Sequence, residues 1–259
     1  MPLAQRSRER IASMIGELKN IVYDQWLAHI LQREVYKIVV NDDLLEKTSG
    51  HTSTVYQLLR ELQSRSVFLY SKVPTNFLPA VKFLEGLGFN LISTEVVFNK
   101  PISSHRFEGH SVVRFAVSED QSQVVELARR SFVYSRFHLD SAFERKVADN
   151  TRAEWVKSYF AGKRGDAMVV AVVNEVAAGF SLLLYEKDGS LTMDLIAVDE
   201  SHRRRGVAKD MIAYAESQYQ RFTQIRVGTQ LANIPSMGLY ETMGFKMAEA
   251  QYIFHYHNP

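Results

Sequence analysis

Asp194-Leu-Ile-Ala-Val-Asp-Glu-Ser-His-Arg-Arg-Arg-Gly-Val-Ala208 runs from an apolar strand through a polar turn to a glycine that opens an amphipathic helix. The first turn of a helix has N–H groups without intrahelical acceptors, and the aligned peptide dipoles place partial positive charge there. Strand, turn and glycine in this order make a place to hold a diphosphate. Gly206 lets the backbone approach a ligand closely, and Ala208 keeps the first helical turn open. Successive N–H groups of Arg204, Arg205, Gly206, Val207, Ala208 and Lys209 can then converge on phosphate oxygens. The side chains of Arg203, Arg204 and Arg205 can add charge-assisted bonds. Downstream, Asn233-Ile-Pro-Ser-Met-Gly-Leu-Tyr-Glu-Thr-Met-Gly-Phe245 sets Tyr240 seven residues after an asparagine, just before a Gly-Phe helix stop.

The bulk properties leave this reading room. A chain of 259 residues supports one large domain or two small ones with a real core. With 46% hydrophobic and 23% charged residues it has the composition of a globular protein. A net charge of +2 gives no argument for nucleic acid or a membrane surface. The absence of cysteine excludes disulfides, thiolate metal sites and a covalent cysteine intermediate, and it suits a reducing compartment. No run of about 18 apolar residues points to a transmembrane helix, and the basic N-terminus lacks the apolar stretch of a signal peptide. A cytoplasmic location is expected.

Apolar periodicity predicts a helix over 6–19 and strands at Val35–Val40 and Val67–Lys72. It also predicts a helix at Thr54–Gln63, one from Pro74 to Leu87, and a strand at Asn90–Asn99. Residues 100–109 break the pattern and mark a boundary, giving an N-terminal α/β domain over 1–105 and a larger domain over 110–259. The second part predicts a strand at Ser111–Val117, then a capping box at Ser118–Gln121 and a helix through Phe132. A loop at 135–140 precedes a helix ending near Phe160. Strands follow at Ala167–Val173, Val176–Tyr185 and Leu191–Val198, with Asn174-Glu175 and Lys187–Gly189 as turns. A helix after Gly206, strand Gln224–Thr229, helix Ser236–Met243 and strand Phe245–His255 complete the order. Gly88-Phe89 and Gly244-Phe245 lie 156 residues apart, with Leu84 where Tyr240 stands. Either two helix-Gly-strand units are alike by chance, or the first part is a degenerate half-copy retained as scaffold. No analogue of the phosphate loop appears in the first part.

Arg203-Arg-Arg-Gly-Val-Ala208 and the Asn233–Phe245 segment resemble the acetyl-coenzyme A site of the GNAT acyltransferase superfamily, and the element order over 111–257 is similar to a GNAT domain. The resemblance implies a mixed, mostly antiparallel sheet flanked by helices and acetyl-CoA as co-substrate. It implies that the backbone of Ile196, Ala197 and Val198 splays from the next strand to bind the pantetheine arm. It also implies that Asn233 bonds that arm and that Tyr240 protonates the departing thiolate. A phenol with a pKa near 10 stays protonated at neutral pH and can donate as the thiolate forms. A packed core aromatic is the plain alternative for Tyr240. On strand alternation Asp194 shares a face with Ile196 and Val198, and it competes with other groups for the role of general base.

The segment Ser135, Arg136, Phe137, His138 falls where GNAT enzymes line the acceptor site, and its charge suits an anionic acceptor better than a cationic one. Ser135–Phe137, Arg226–Asn233 and Tyr252–Tyr256 resemble a narrower family, the TDP-fucosamine acetyltransferases, which N-acetylate dTDP-4-amino-4,6-dideoxygalactose in surface polysaccharide synthesis. The implied partner is a nucleotide sugar, with no nucleic acid, no membrane and a homodimer by family analogy. A GNAT enzyme acting on a peptide, amino acid or other small amine is the alternative. His255 and His257 alternate at a strand end without a carboxylate partner in sequence, so they read as surface residues and no metal is expected.

Overall fold

A computed structural model describes residues 19–48, 54–102, 108–219 and 221–258. The helix expected over 6–19 lies outside these residues, as do 103–107 of the expected boundary. In chain order the elements begin with β1 (Ile21–Tyr23), α1 (Gln25–Leu31), β2 (Glu34–Ile38), α2 (Asp42–Lys47) and α3 (Thr54–Gln63). They continue with β3 (Val67–Pro74), α4 (Leu78–Gly86) and β4 (Asn90–Pro101). Then come β5 (Val112–Phe115), α5 (Gln121–Ser131), α6 (Arg136–Leu139), α7 (Arg145–Phe160), β6 (Ala167–Val173), β7 (Val176–Tyr185) and β8 (Ser190–Val198). The last are α8 (Val207–Gln218), β9 (Gln224–Gln230), α9 (Ile234–Thr242) and β10 (Lys246–Asn258).

The chain divides into two compact units, one of residues 1–94 with 251–259 and one of residues 95–250. This differs from the expected 1–105 and 110–259. The reason is strand pairing: Gln251–Asn258 of β10 pairs antiparallel with Val67–Pro74 of β3, inside the first unit. In that unit β1 pairs antiparallel with β2, and β2 runs parallel to β3. Its core gathers Leu44, Leu58, Leu62, Val67, Leu69, Leu84 and Phe254. The short β1, α1 and α2 carry no strong periodicity and were not expected from sequence. Local caps account for the two helices, since Asp24 accepts from the Leu27 amide and Asn41 from the Leu44 amide.

In the second unit the sheet order is β4-β9-β8-β7-β6-β5, antiparallel except for the β8–β9 pair. This is the expected mixed, mostly antiparallel sheet. One face packs on α5 and α7 through Val124, Leu127, Val156, Phe180, Leu182 and Leu195. The other packs on α8 and α9 through Leu191, Met193, Met211, Ile212, Val227 and Tyr240. The β6–β7 hairpin closes on Asn174 and Glu175, both at positive φ (49° and 63°), as a two-residue turn of matching twist requires. The capping box expected at Ser118 is replaced. Residues 118–120 form a 3₁₀ turn, and the Asp120 carboxylate accepts from the Val117 amide and, bidentate, from Arg114.

The 156-residue offset recurs in the element boundaries. Nine-residue α4 and nine-residue α9 start and end at the same shift, and so do the first residues of β4 and β10. Gly88 and Gly244 both sit at φ 82°, and Phe89 and Phe245 both donate back across the helix end, to Leu84 and Tyr240 carbonyls at 3.0 Å. Each unit takes its outer strand from the other repeat's sequence: β9 pairs antiparallel with β4, while β3 pairs with β10.

Candidate active site

The strand β8 decides the geometry. Its parallel pairing with β9 runs from Ser190↔Gln224 to Met193↔Val227 and stops. Beyond that point β8 stays paired to β7 as far as Val198, and β9 stays paired to β4 as far as Gln230. The two central strands therefore part. The fork presents the β9-facing backbone edge of Ile196, Ala197 and Val198, the splay implied by the resemblance. Among the described residues no strand occupies it. A pantetheine amide can add there as a short extra strand, since an open β edge pairs with any extended peptide-like chain. Gly228 lies at the fork, and a side chain there would meet nothing within 4 Å.

The turn after β8 is built by Asp199. Its carboxylate accepts from the Ser201 amide and from Arg130, and its amide stays tied to the Ala178 carbonyl. The Ser201 hydroxyl, then the backbone and Arg130, hold its pKa below the ordinary value. Arg204 (φ 60°) and Gly206 (φ 86°) turn the chain into α8. The space over Gly206 is open, and no side chain caps the helix. Among the described residues the amides from Arg204 to Lys209 have no backbone acceptor, while the Asp210 amide begins the helical ladder at Gly206. This is a nest of donors beside open space, which fits a diphosphate. Arg203 differs from the expectation. Its guanidinium donates to the Val198 and Ser131 carbonyls, so it braces the turn, while all three of Arg203, Arg204 and Arg205 are exposed.

Tyr240 is buried, with its ring against Phe98 and Phe245 at 5.7 and 5.8 Å. Burial raises its phenol pKa well above 10, partly offset by a hydrogen bond with the Ser236 side chain. The group is therefore protonated at neutral pH. Asn233 caps α9, accepting from the Ser236 amide, and its Nδ2 donates to the Thr229 hydroxyl at 3.0 Å. Its side chain thus ties the end of β9 to the start of α9.

Asp194 departs from its expected face. Leu182 pairs with Leu195 and Leu183 with Met193, so Asp194 is the extra residue of a β-bulge. The bulge flips the alternation: Leu191 and Met193 face the α8 side, as do Ile196 and Val198 beyond it. The Asp194 carboxylate points instead toward α7, accepting from Trp155 Nε1 and from Arg164 Nε and Nη2, each at 2.8 Å. It is engaged by two partners.

The acceptor segment closes as the short helix α6 and turns inward. Ser135 and Phe137 are buried, and Phe137 packs edge-on against Phe143 at 5.5 Å. The His138 side chain is 1% exposed and bridges Ser135 Oγ at 2.5 Å and Asp149 Oδ1 at 2.9 Å. Burial lowers its pKa below 6.5 against the opposing hydrogen bond that the ring donates to Asp149. Of the segment, Arg136 stays half-exposed, stacked on the Phe137 ring. Arg129 and Arg130 bond Asn150 and Asp199. The sequence reading missed Arg152 and Trp155. Their signal was available: Ala148, Arg152, Trp155 and Tyr159 follow helical spacing, which sets an arginine on the stripe of α7 that carries Ala148. His255, expected at the surface, is fully buried, with its ring edge-to-face with Phe68 at 4.7 Å and His257 tilted against the same ring at 4.9 Å in the first unit.

Residues 123–245 match the Acetyltransferase (GNAT) family. The spore coat polysaccharide biosynthesis protein SpsD of Bacillus subtilis (strain 168) is 30% identical over 138 residues, 52% of this chain and 47% of that protein. The chain thus spans about half the length of that curated relative. Among solved structures, a GCN5-related N-acetyltransferase from Sphaerobacter thermophilus matches with TM-score 0.61 at 13% identity, over 92% of this chain and 75% of that one. A tandem GNAT protein from the clavulanic acid biosynthesis pathway matches with TM-score 0.57 at 12% identity, over 87% and 76%. These structural likenesses show the fold.

Proposed function

With residues 123–245 forming a GNAT acetyltransferase domain, we propose that the chain moves acetyl from acetyl-CoA to the amino group of a nucleotide-linked 4-amino-4,6-dideoxyhexose. The product serves surface polysaccharide synthesis. The observation that carries the reaction is the fork between β8 and β9 beside the open donor nest at Gly206. The amino-sugar acceptor is supported by the polysaccharide-biosynthesis relative. In this reading Ile196–Val198 pair the pantetheine arm and the amides of residues 204–209 hold the diphosphate. The amine lone pair forms the new C–N bond at the thioester carbonyl, the C–S bond breaks, and Tyr240 gives its proton to the thiolate. The surplus amine proton returns through water to the Tyr240 phenolate. Placing amine and thioester together supplies much of the rate. The first unit acts as scaffold, since Leu84 stands where Tyr240 stands and is fully buried.

Coenzyme A release, read with a thiol reagent, tests this on dTDP-linked 4-amino-4,6-dideoxyhexoses. The protein has no cysteine and is silent in the assay. Rapid release with one sugar and not its C4 epimer is expected. Silence across the panel, with acetyl-CoA still binding, would leave the domain and remove the nucleotide-sugar acceptor. Tyr240→Phe is expected to lower kcat ~10²-fold with acetyl-CoA affinity retained; undiminished turnover at saturating substrate takes Tyr240 out of the mechanism.

A further inference from the structure

Among the described residues, Arg152 carries a buried nitrogen that no protein group bonds. Its guanidinium lies 5.1 Å from the Phe132 ring centroid and 5.0 Å from that of Trp155, and its Nε is buried without a hydrogen-bond partner. Buried polar atoms are nearly always bonded, so an orphaned donor on a charged group marks a place where another group belongs. The surrounding charges do not supply it. Arg136 and Arg164 are like charges, and Asp194 and Glu95 are the opposing ones. Asp194 already spends both oxygens on Arg164, with Trp155 sharing one of them. Burial, then Arg136, pull the Arg152 pKa down to about 10, which leaves it charged at neutral pH.

The location is beside the fork, on the sheet face covered by α5 and α7. Asp194 is the bulged residue of β8 where the strands part, and Glu95 pairs with Gln230 at the end of β9. The Phe132 and Trp155 rings lie against the planar fork of Arg152, and a fork held in this way suits the oxygens of a phosphate or carboxylate. A second cation, Arg136, adds charge toward a doubly ionised group. We propose that Arg152, assisted by Arg136, binds the diphosphate of the nucleotide-linked acceptor. This rests on the function proposed above and names the part of the acceptor that the site grips.

The test is calorimetry on protein saturated with coenzyme A, so that the Gly206 nest is filled, titrated with dTDP, thymidine and inorganic pyrophosphate. Wild type is expected to bind dTDP and pyrophosphate, and Arg152→Gln to weaken both about 10- to 100-fold while leaving thymidine and coenzyme A affinities as they were. Arg152→Lys keeps the charge, loses the fork, and is expected to fall between; it decides the matter if the glutamine variant no longer binds coenzyme A. Loss of pyrophosphate binding in the variants, with dTDP no tighter than pyrophosphate in wild type, upholds the anion site and removes the nucleotide acceptor. Equal affinities for both anions in wild type and variants, or no anion binding to wild type, overturns the role of Arg152. The nucleotide-sugar reading then stands or falls on the coenzyme A release assay alone.

Discussion

At the scale of single residues, His138 shows how a polar side chain in an expected substrate loop becomes part of the interior. The Asp149 carboxylate can only accept, so the neutral ring carries its proton on Nε2 and Nδ1 accepts from the Ser135 hydroxyl. Burial lowers its pKa, Arg152 and Arg145 push the same way, and Asp149 opposes them. The folded state therefore binds this proton less readily than the unfolded state, whose histidine titrates near 6.5. Its stabilising contribution is fully present above that pH and is lost as pH falls toward the folded pKa. Denaturant midpoints measured between pH 7.5 and 5 are expected to decline for wild type and to decline less for His138→Gln. Parallel slopes for the two proteins would show that His138 does not titrate across folding. Asp194 illustrates the opposite route to engagement. A residue expected on the strand face of Ile196 and Val198, as one candidate for general base, is turned by one bulge onto Arg164 and Trp155. Period-two alternation carries no mark of such an insertion, and that is why its partners were not legible in the sequence.

At the scale of elements, two glycines of the second unit separate folding from binding. Gly179 of β7 lies under α8. A Cβ there would come within 2.9 Å of Met211 Cε, 3.0 Å of the Ala197 carbonyl oxygen and 3.2 Å of Val207 Cγ1. The methionine tip can yield, but the backbone carbonyl cannot, so Gly179→Ala is expected to destabilise by about 1–3 kcal/mol. Gly206 has open space around it but sits at φ 86°. Gly206→Ala is expected to cost roughly 1–2 kcal/mol in backbone strain and in addition to weaken coenzyme A binding, since its methyl enters the donor nest. Thermal melts and coenzyme A titrations on both variants check the contrast. An unchanged dissociation constant for Gly206→Ala refutes the phosphate-loop assignment, and an unchanged melting temperature for Gly179→Ala refutes the packing argument. The loop, the helix it opens and the Gly244 stop were legible because glycine at positive φ and a helix end are local chemistry. Strands at 167–173 and 176–185 were legible to the residue, since two positive-φ positions between apolar runs define a hairpin. The short helix α6 was not, because four residues carry no periodicity.

At the scale of the molecule, the exchange of outer strands is the feature that no local pattern announces. A strand's sequence states that it is apolar on one or both faces; it does not state which edge it joins. Val67–Pro74 is largely buried and takes its antiparallel partner from the chain's last residues, with Leu69 opposite Tyr256 and Ser71 opposite Phe254. Ile253, Phe254 and His255 are all fully buried there. Burying an isoleucine or phenylalanine side chain is worth about 1.5–3 kcal/mol each, against a total of roughly 5–15 kcal/mol for a typical domain. Loss of the two together with a ladder of backbone bonds is comparable to the whole stability of the first unit. Ending the chain after Ala250 is therefore expected to unfold residues 19–94 while β6, whose partners β5 and β7 belong to the second unit, keeps its pairing. Hydrogen exchange followed by mass spectrometry reads this directly. Amides of Val67–Val73 are expected to exchange many-fold faster in the shortened chain, and those of Ala167–Val173 at the full-length rate. Unchanged protection in β3 would mean that β2 alone holds it, and the last strand would then be an ornament of the first unit and no part of its core.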